Sequence, residues 1–92
     1  MSVLTVDHSF AGDESSKISN VPLSIDYMFF AVGDFAGGKL SLEASPDNGV
    51  TWFTVEELRA PGRLIRYLVS GEKVRLTLSG ANNASMSAGI RQ

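Results

Sequence analysis

Two short groups of polar residues have the side-chain types of catalytic sites, but their spacing speaks against catalysis. Asp7-His8-Ser9 contains the acid, base and nucleophile of a triad. Neighbouring residues on a strand point to opposite faces, however, so His8 cannot reach both of the others in line. Glu56-Glu57 offers two carboxylates, whereas glycoside hydrolysis needs them to face each other across about 5–10 Å. We therefore expect a surface histidine, a solvated acidic rim and no enzyme.

Oxygen-rich and glycine-rich segments lack a binding pattern as well. Asp47 and Asn48 carry oxygen atoms suited to calcium, but no EF-hand pattern surrounds them, and Asp47 is better explained as a turn residue. Gly37-Gly38-Lys39 lacks the spacing and the Ser or Thr of a phosphate-binding loop. We expect neither a metal ion nor a cofactor.

The length and composition indicate one small globular domain. A chain of 92 residues with 43% apolar and 20% charged residues can fold, but its core is thin. It has no cysteine, so disulfides cannot compensate, and association is a common source of the missing stability. No apolar run approaches the roughly 18–20 residues of a membrane span, and the start lacks the features of a secretory signal. We expect synthesis in a cytoplasm and no membrane contact.

Strand patterns recur at about ten-residue spacing, which is typical of a small antiparallel β-sandwich or jelly roll. Residues 25–32 form the most apolar segment and predict a buried central strand, while residues 55–60 predict one turn or a loop. We expect one domain over residues 1–92, with residues 1–24 as an N-terminal arm or edge segment. The seven or eight predicted strands cover residues 3–6, 18–21, 25–32, 39–44, 50–55, 63–69, Lys73–Ser79 and Ser85–Arg91.

The octet at residues 45–52, Ser-Pro-Asp-Asn-Gly-Val-Thr-Trp, predicts a hairpin turn. The Asp47 carboxylate can bond backbone N–H groups that follow it, and Gly49 permits a positive φ. We expect Trp52 to cover the inside of the hairpin and fill the core. The pattern resembles the Asp-box of sialidases, but a single copy in 92 residues is too short for a propeller enzyme. The expected structural turn residues are Ser45, Asp47, Gly49, Thr51 and Trp52.

Charge is divided unevenly along the chain. Nine of the ten acidic residues precede Leu58, and six of the eight basic residues follow it. Such a division either mixes into ordinary solvated faces or docks with another copy or a partner; nucleic acid is a weaker alternative, because no RNP-like or zinc-knuckle pattern is present. A sugar-stacking platform of Trp52, Phe53 and Tyr67 is a further alternative. The candidate interface residues are Tyr27, Phe53, Arg59, Arg63, Arg66 and Tyr67.

Residues 37–92 contain the segments Gly-Gly-Lys-Leu-Ser-Leu-Glu-Ala-Ser-Pro-Asp-Asn-Gly-Val-Thr-Trp and Val-Arg-Leu-Thr-Leu-Ser-Gly-Ala-Asn-Asn-Ala-Ser. In these segments the chain resembles small accessory virion proteins of tailed bacteriophages, which include capsid decoration (cement) proteins. The resemblance implies a non-enzymatic virion component, made in the host cytoplasm, that binds the major capsid protein and itself, commonly as a homotrimer. Alternatives are a carbohydrate-binding or adhesion module of a tail or head appendage and a head–tail joining protein.

Overall fold

The computed structural model describes residues 4–92, and within them the chain forms two antiparallel sheets packed as a β-sandwich. Sheet A has the strand order β1-β9-β4-β7, and sheet B has the order β2-β8-β5-β6, with β3 also paired to β8. The predicted all-β sandwich is confirmed. The strands are β1 Thr5–Phe10, β2 Glu14–Ser15, β3 Ser19–Asn20, β4 Ile25–Asp34, β5 Lys39–Ser45, β6 Phe53–Leu58, β7 Gly62–Leu68, β8 Lys73–Ser79 and β9 Ser85–Arg91.

Strand β6 corrects the expectation of a turn or loop over residues 55–60. It runs to Leu58, and its last residues pair with β5 in the registers Ser41 to Glu57 and Leu40 to Leu58. A β-bulge between Leu42 and Glu43 shifts the register once along this pair. Pairing with the preceding strand of the hairpin therefore overrides the local preference of this acidic segment.

The N-terminal segment supplies edge strands to both sheets, since β1 pairs with β9 in sheet A, and β2 and β3 pair with β8 in sheet B. Predicted strand 3–6 begins in the structure at Thr5, and Val3 lies outside the described residues. Strand β2, which was not predicted, pairs with β8, and β3, inside the predicted strand 18–21, pairs with the same strand nearer its start. Between them Ser16 donates its N–H to the Leu76 carbonyl at 2.7 Å, and its hydroxyl accepts the Leu76 N–H at 2.8 Å. The described part of residues 1–24, the segment predicted as an arm or edge segment, thus forms strands at the sheet edges.

The core lies between the sheets and comes from alternating positions of their central strands. On β8, Val74, Leu76 and Leu78 face inward, as their alternation with polar residues predicts. On β4 the inward residues are Tyr27, Phe29 and Ala31. Burial of each large apolar side chain contributes about 1.5–3 kcal/mol relative to exposure. The remaining buried members of the cluster are Leu4, Val6, Phe10, Val21, Phe35, Leu40, Leu42, Ala44, Leu68, Ala84, Met86, Ala88 and Ile90.

A polar pair spans each open edge of the sandwich. Between β1 and β2, His8 Nε2 lies 3.1 Å from Glu14 Oε2. Between β7 and β6, Arg66 forms an ion pair with Glu56. The pKa of Glu14 is lowered mainly by the hydrogen bond with His8, and that of Glu56 by the Glu57 backbone N–H and then by Arg66. These contacts connect the two sheets where no backbone ladder does.

Candidate interaction surface

The turn at residues 45–52 is held by a small network around one carboxylate. Asp47 Oδ1 accepts the Ser45 hydroxyl at 2.8 Å and the Thr51 backbone N–H at 2.8 Å. The Ser45 hydroxyl accepts the Gly49 N–H at 2.8 Å. Asn48 and Gly49 carry the positive φ angles of the reversal, 64° and 89°. The carboxylate is therefore engaged inside the turn.

These donors stabilise the ionised form of Asp47. The pKa of its carboxyl lies below the ordinary 3.8, first because of the hydrogen bonds from Thr51 and then because of the Ser45 hydroxyl. In residues 4–92, no group of three His, Cys, Asp or Glu side chains could hold a metal ion. The geometry assigns Asp47 a structural part in the hairpin.

Trp52 does not fill the core, contrary to the expectation from the octet. Its ring is half-buried, and Nε1–H donates to the Gly49 carbonyl at 3.1 Å. The guanidinium carbon of Arg75 lies 4.1 Å from the ring centroid. Because Arg75 alternates with the inward Val74 and Leu76, the Trp52 ring lies on the outward face of sheet B.

The outward face of sheet B is polar and closely bonded. Arg75 Nε donates to Glu43 Oε1 at 2.9 Å, and the Thr77 hydroxyl donates to the same oxygen at 2.7 Å. Ser15 lies 3.0 Å from Thr77 through their hydroxyl oxygens. With Trp52 at its end, this network covers β5 and β8 without an apolar surface.

The residues with catalytic side-chain types are not brought together. Asp7 points outward and pairs with Arg91 at 3.2 Å, whereas His8 points toward Glu14. The two acidic neighbours also separate, since Glu56 pairs with Arg66 and Glu57 with Lys39 at 3.0 Å. Among residues 4–92 these groups form structural ion pairs and no facing pair of carboxylates.

The candidate interface residues divide into three groups. Tyr27 is 1% exposed, so its prediction as a surface residue is corrected: its hydroxyl donates to the Leu23 carbonyl at 2.7 Å in the interior. Arg66 is half-buried at the open edge of the sandwich, where it pairs with Glu56. The exposed members are Phe53, Arg59, Arg63 and Tyr67.

The outward face of sheet A is apolar along β4 and β7. Met28, Phe30 and Val32 alternate with the inward residues of β4, and β7 places Ile65 and Tyr67 beside them. We name these five residues the apolar patch. A groove of about 530 Å³ runs along its end, past Phe30 and Val32 to Pro61. Residues 27–32 show no alternation, and that unbroken apolar run was the sequence signal for this second apolar face.

The three aromatics of the predicted sugar platform lie apart. The Trp52 ring covers the outward face of sheet B, where Arg75 stacks on it. Tyr67 belongs to the outward face of sheet A, because it alternates with Arg66 and Leu68, which face inward. Phe53 begins β6 opposite Ala44. Trp52 and Tyr67 are thus on opposite sides of the sandwich, and one ligand cannot stack on both.

The fold and this surface define a small antiparallel β-sandwich with a hydrogen-bonded turn at residues 45–52 and one apolar outer face. No protein-family model matches the sequence, and no curated protein matches it. Among solved structures, the chain is similar to a pentameric capsid protein isolated from metagenomic phage sequences, with 17% identity and a TM-score of 0.47. The alignment covers 96% of this chain and 61% of that protein's chain.

Among residues 4–92, no helix is long and apolar enough to cross a membrane.

Proposed function

We propose that this chain is a structural protein of a tailed-phage particle, acting as a capsid decoration protein. In this function it binds the outer surface of the major capsid protein shell and associates with itself, without catalysing a reaction. The sequence resemblance over residues 37–92 supports the assignment to accessory virion proteins.

The apolar patch is the observation that carries the proposal. An antiparallel sheet with one face on the core normally has polar residues on the other. Strand β4 instead carries apolar residues on both faces, with Val32 55% exposed on the outside. A contiguous apolar surface of this kind marks a site of interaction, and contact with another protein is one of its common uses. The chain therefore has the surface of an assembly subunit.

The internal bonding suits a subunit that must keep its shape. The Asp47 turn fixes the β5–β6 hairpin, and the Glu14 and Glu56 pairs connect the sheets at both open edges. Asp13 accepts the N–H groups of Gly80 and Ala81 at 2.9 and 2.8 Å, which connects the segment before β2 to the β8–β9 turn. Binding by a preorganised domain loses little conformational entropy.

The test is the composition and symmetry of purified particles of the phage that encodes this chain. We expect mass spectrometry to detect the chain together with the major capsid protein, and cryo-electron microscopy to show it on the outer shell. Washed particles that contain the major capsid protein but lack this chain would overturn the proposal. A ring of six or twelve copies at the portal vertex would instead establish a head–tail joining protein.

A further inference from the structure

We infer that the apolar patch on sheet A binds a second copy of this chain, face to face about a two-fold axis. The inference rests on the self-association within the proposed function and names the surface that mediates it. It follows from the position of the patch, the charges around it and the size of the face.

The patch residues occupy adjoining positions of two paired strands. Met28 lies opposite Ile65, and Phe30 lies opposite Arg63, in the antiparallel register of β4 and β7. Ile65 and Tyr67 are 57% and 58% exposed, although both are large and apolar or aromatic. Removing such side chains from water contributes roughly 25 cal/mol for each Å² buried. The patch is therefore a favourable surface to cover.

Two opposite charges stand at the two ends of the patch. Among the described residues neither Asp26 nor Arg63 forms an ion pair. They lie four positions apart along the β4–β7 register, about 14 Å at the usual rise of a strand, so they cannot pair within one chain. A two-fold axis in the interface plane beside Met28 and Ile65 would place each Arg63 against the partner's Asp26.

Two other charges of this face already pair with each other. Arg91 lies 3.2 Å from Asp7 and 4.9 Å above the Phe30 ring, beside the patch on β9 and β1. Arg63, Arg91, Asp26 and Asp7 therefore lie around it, with the exposed Asp34 at the far end of β4. A face with unpaired charges of opposite sign on either side of a two-fold axis is complementary to its own copy.

The face is large enough for a stable pair. The described chain measures 36 by 25 by 17 Å along its principal axes, so its broad face can supply the roughly 800 Å² that a standard interface takes from each partner. Two sheets packed face to face bury their side chains in a layer about 10 Å thick. A second copy would thus cover Ile65 and Tyr67 completely.

Sedimentation equilibrium of the isolated chain over rising concentration tests the inference. We expect a monomer–dimer equilibrium that ends at twice the 9.9 kDa chain mass. Ile65→Lys places a charge at the centre of the patch and is expected to weaken the dissociation constant about tenfold or more. Asp26→Arg and Arg63→Asp should each weaken it too, because each sets like charges against each other, and the double variant should restore it.

Val50→Lys is the matched control, because Val50 is 82% exposed on the turn, away from the patch; it should associate as the wild type does. Circular dichroism checks folding, and if Ile65→Lys does not fold, the exposed charge-reversal variants carry the test. The inference is overturned if the chain stays monomeric, if it forms an oligomer of any size that these variants leave unchanged, or if the double variant associates no better than the single variants.

Virion composition separates the two proposals. A monomeric chain found in particles overturns only this inference, and a dimeric chain absent from particles overturns the proposed function.

Discussion

The guanidinium carbon of Arg75 lies 4.1 Å from the ring centroid of Trp52, on the outward face of sheet B. The indole is thereby held between Arg75 and the hairpin turn, since its N–H bonds the Gly49 carbonyl at 3.1 Å. The same guanidinium group donates to Glu43 on the neighbouring strand. The tryptophan of the octet thus connects the turn to β8 from outside, and the core is filled without it.

Trp52→Ala should therefore destabilise the protein less than loss of a core aromatic. We expect a loss of about 1–2 kcal/mol in the free energy of unfolding, from one cation–π contact and one hydrogen bond. Phe29→Ala removes a fully buried ring and should cost about 3–5 kcal/mol. Urea unfolding should be followed by circular dichroism for both variants. Trp52 is the single tryptophan of the chain, so Trp52→Ala has no tryptophan fluorescence to follow. Equal losses for the two variants would contradict the outward position of Trp52.

Asp47→Asn should reveal the ionised state of the turn carboxylate. The pKa of Asp47 is held below 3.8 by Thr51 and Ser45 in the folded protein, so ionisation stabilises the fold at pH values above that. This contribution is lost as the pH falls through the lowered pKa. We expect the Tm of Asp47→Asn to lie several degrees below the wild type at neutral pH, with the gap closing in strongly acidic buffer.

Val50→Ala, in the same turn, is the control for that experiment, because Val50 is almost fully exposed and carries no charge. Its Tm should follow the wild type at each pH. Calorimetric scans that show the same Asp47→Asn deficit at neutral and strongly acidic pH would contradict the stabilising charge.

Tyr27→Phe should show that the Tyr27 hydroxyl is structural. The hydroxyl donates to the Leu23 carbonyl at 2.7 Å and accepts the Leu23 N–H at 3.3 Å, which ties the start of β4 to the loop before it. Removing it should cost about 1 kcal/mol of stability. Tyr67→Phe is the matched control, since Tyr67 is exposed and a surface change of this kind stays within about 0.5 kcal/mol. Chemical unfolding that ranks the two variants equally would overturn this assignment.

The order of apolar and polar residues predicts a strand well when one face of the strand is apolar and the other is polar. It does not predict which residues face inward when both faces are apolar. Strand β8 alternates apolar and polar residues, and its predicted bounds agree residue for residue with Lys73–Ser79. In β4 the apolar run over residues 27–32 does not alternate, so nothing local says that Tyr27 faces inward and Phe30 outward. A shift of one residue exchanges the two faces of a strand, and only the registers with β7 and β9 decide it.

The turn and β6 also depend on residues of other strands. The hydrogen bonds of Asp47 follow from the order of residues in the octet, and they were predictable. The side taken by Trp52 depends on Arg75, which belongs to another strand. The extended state of Glu56 and Glu57 depends on pairing with β5 across a bulge, whereas their local preference favours a turn. Contacts between separate elements account for each of these errors.

Gly89→Ala should destabilise the protein through a close approach on sheet A. A Cβ built on Gly89 would lie 2.7 Å from Phe30 Cζ and 2.8 Å from Asp7 Oδ1, and it would also contact the Val6 carbonyl. The two side chains can move, but the carbonyl belongs to the β1–β9 ladder and cannot. We expect a loss of about 1–3 kcal/mol, the usual cost of overpacking. Gly12→Ala is the matched control, because no atom lies within 4 Å of its added Cβ. Thermal unfolding that finds Gly89→Ala as stable as Gly12→Ala would contradict the close approach of the Val6 carbonyl to Gly89.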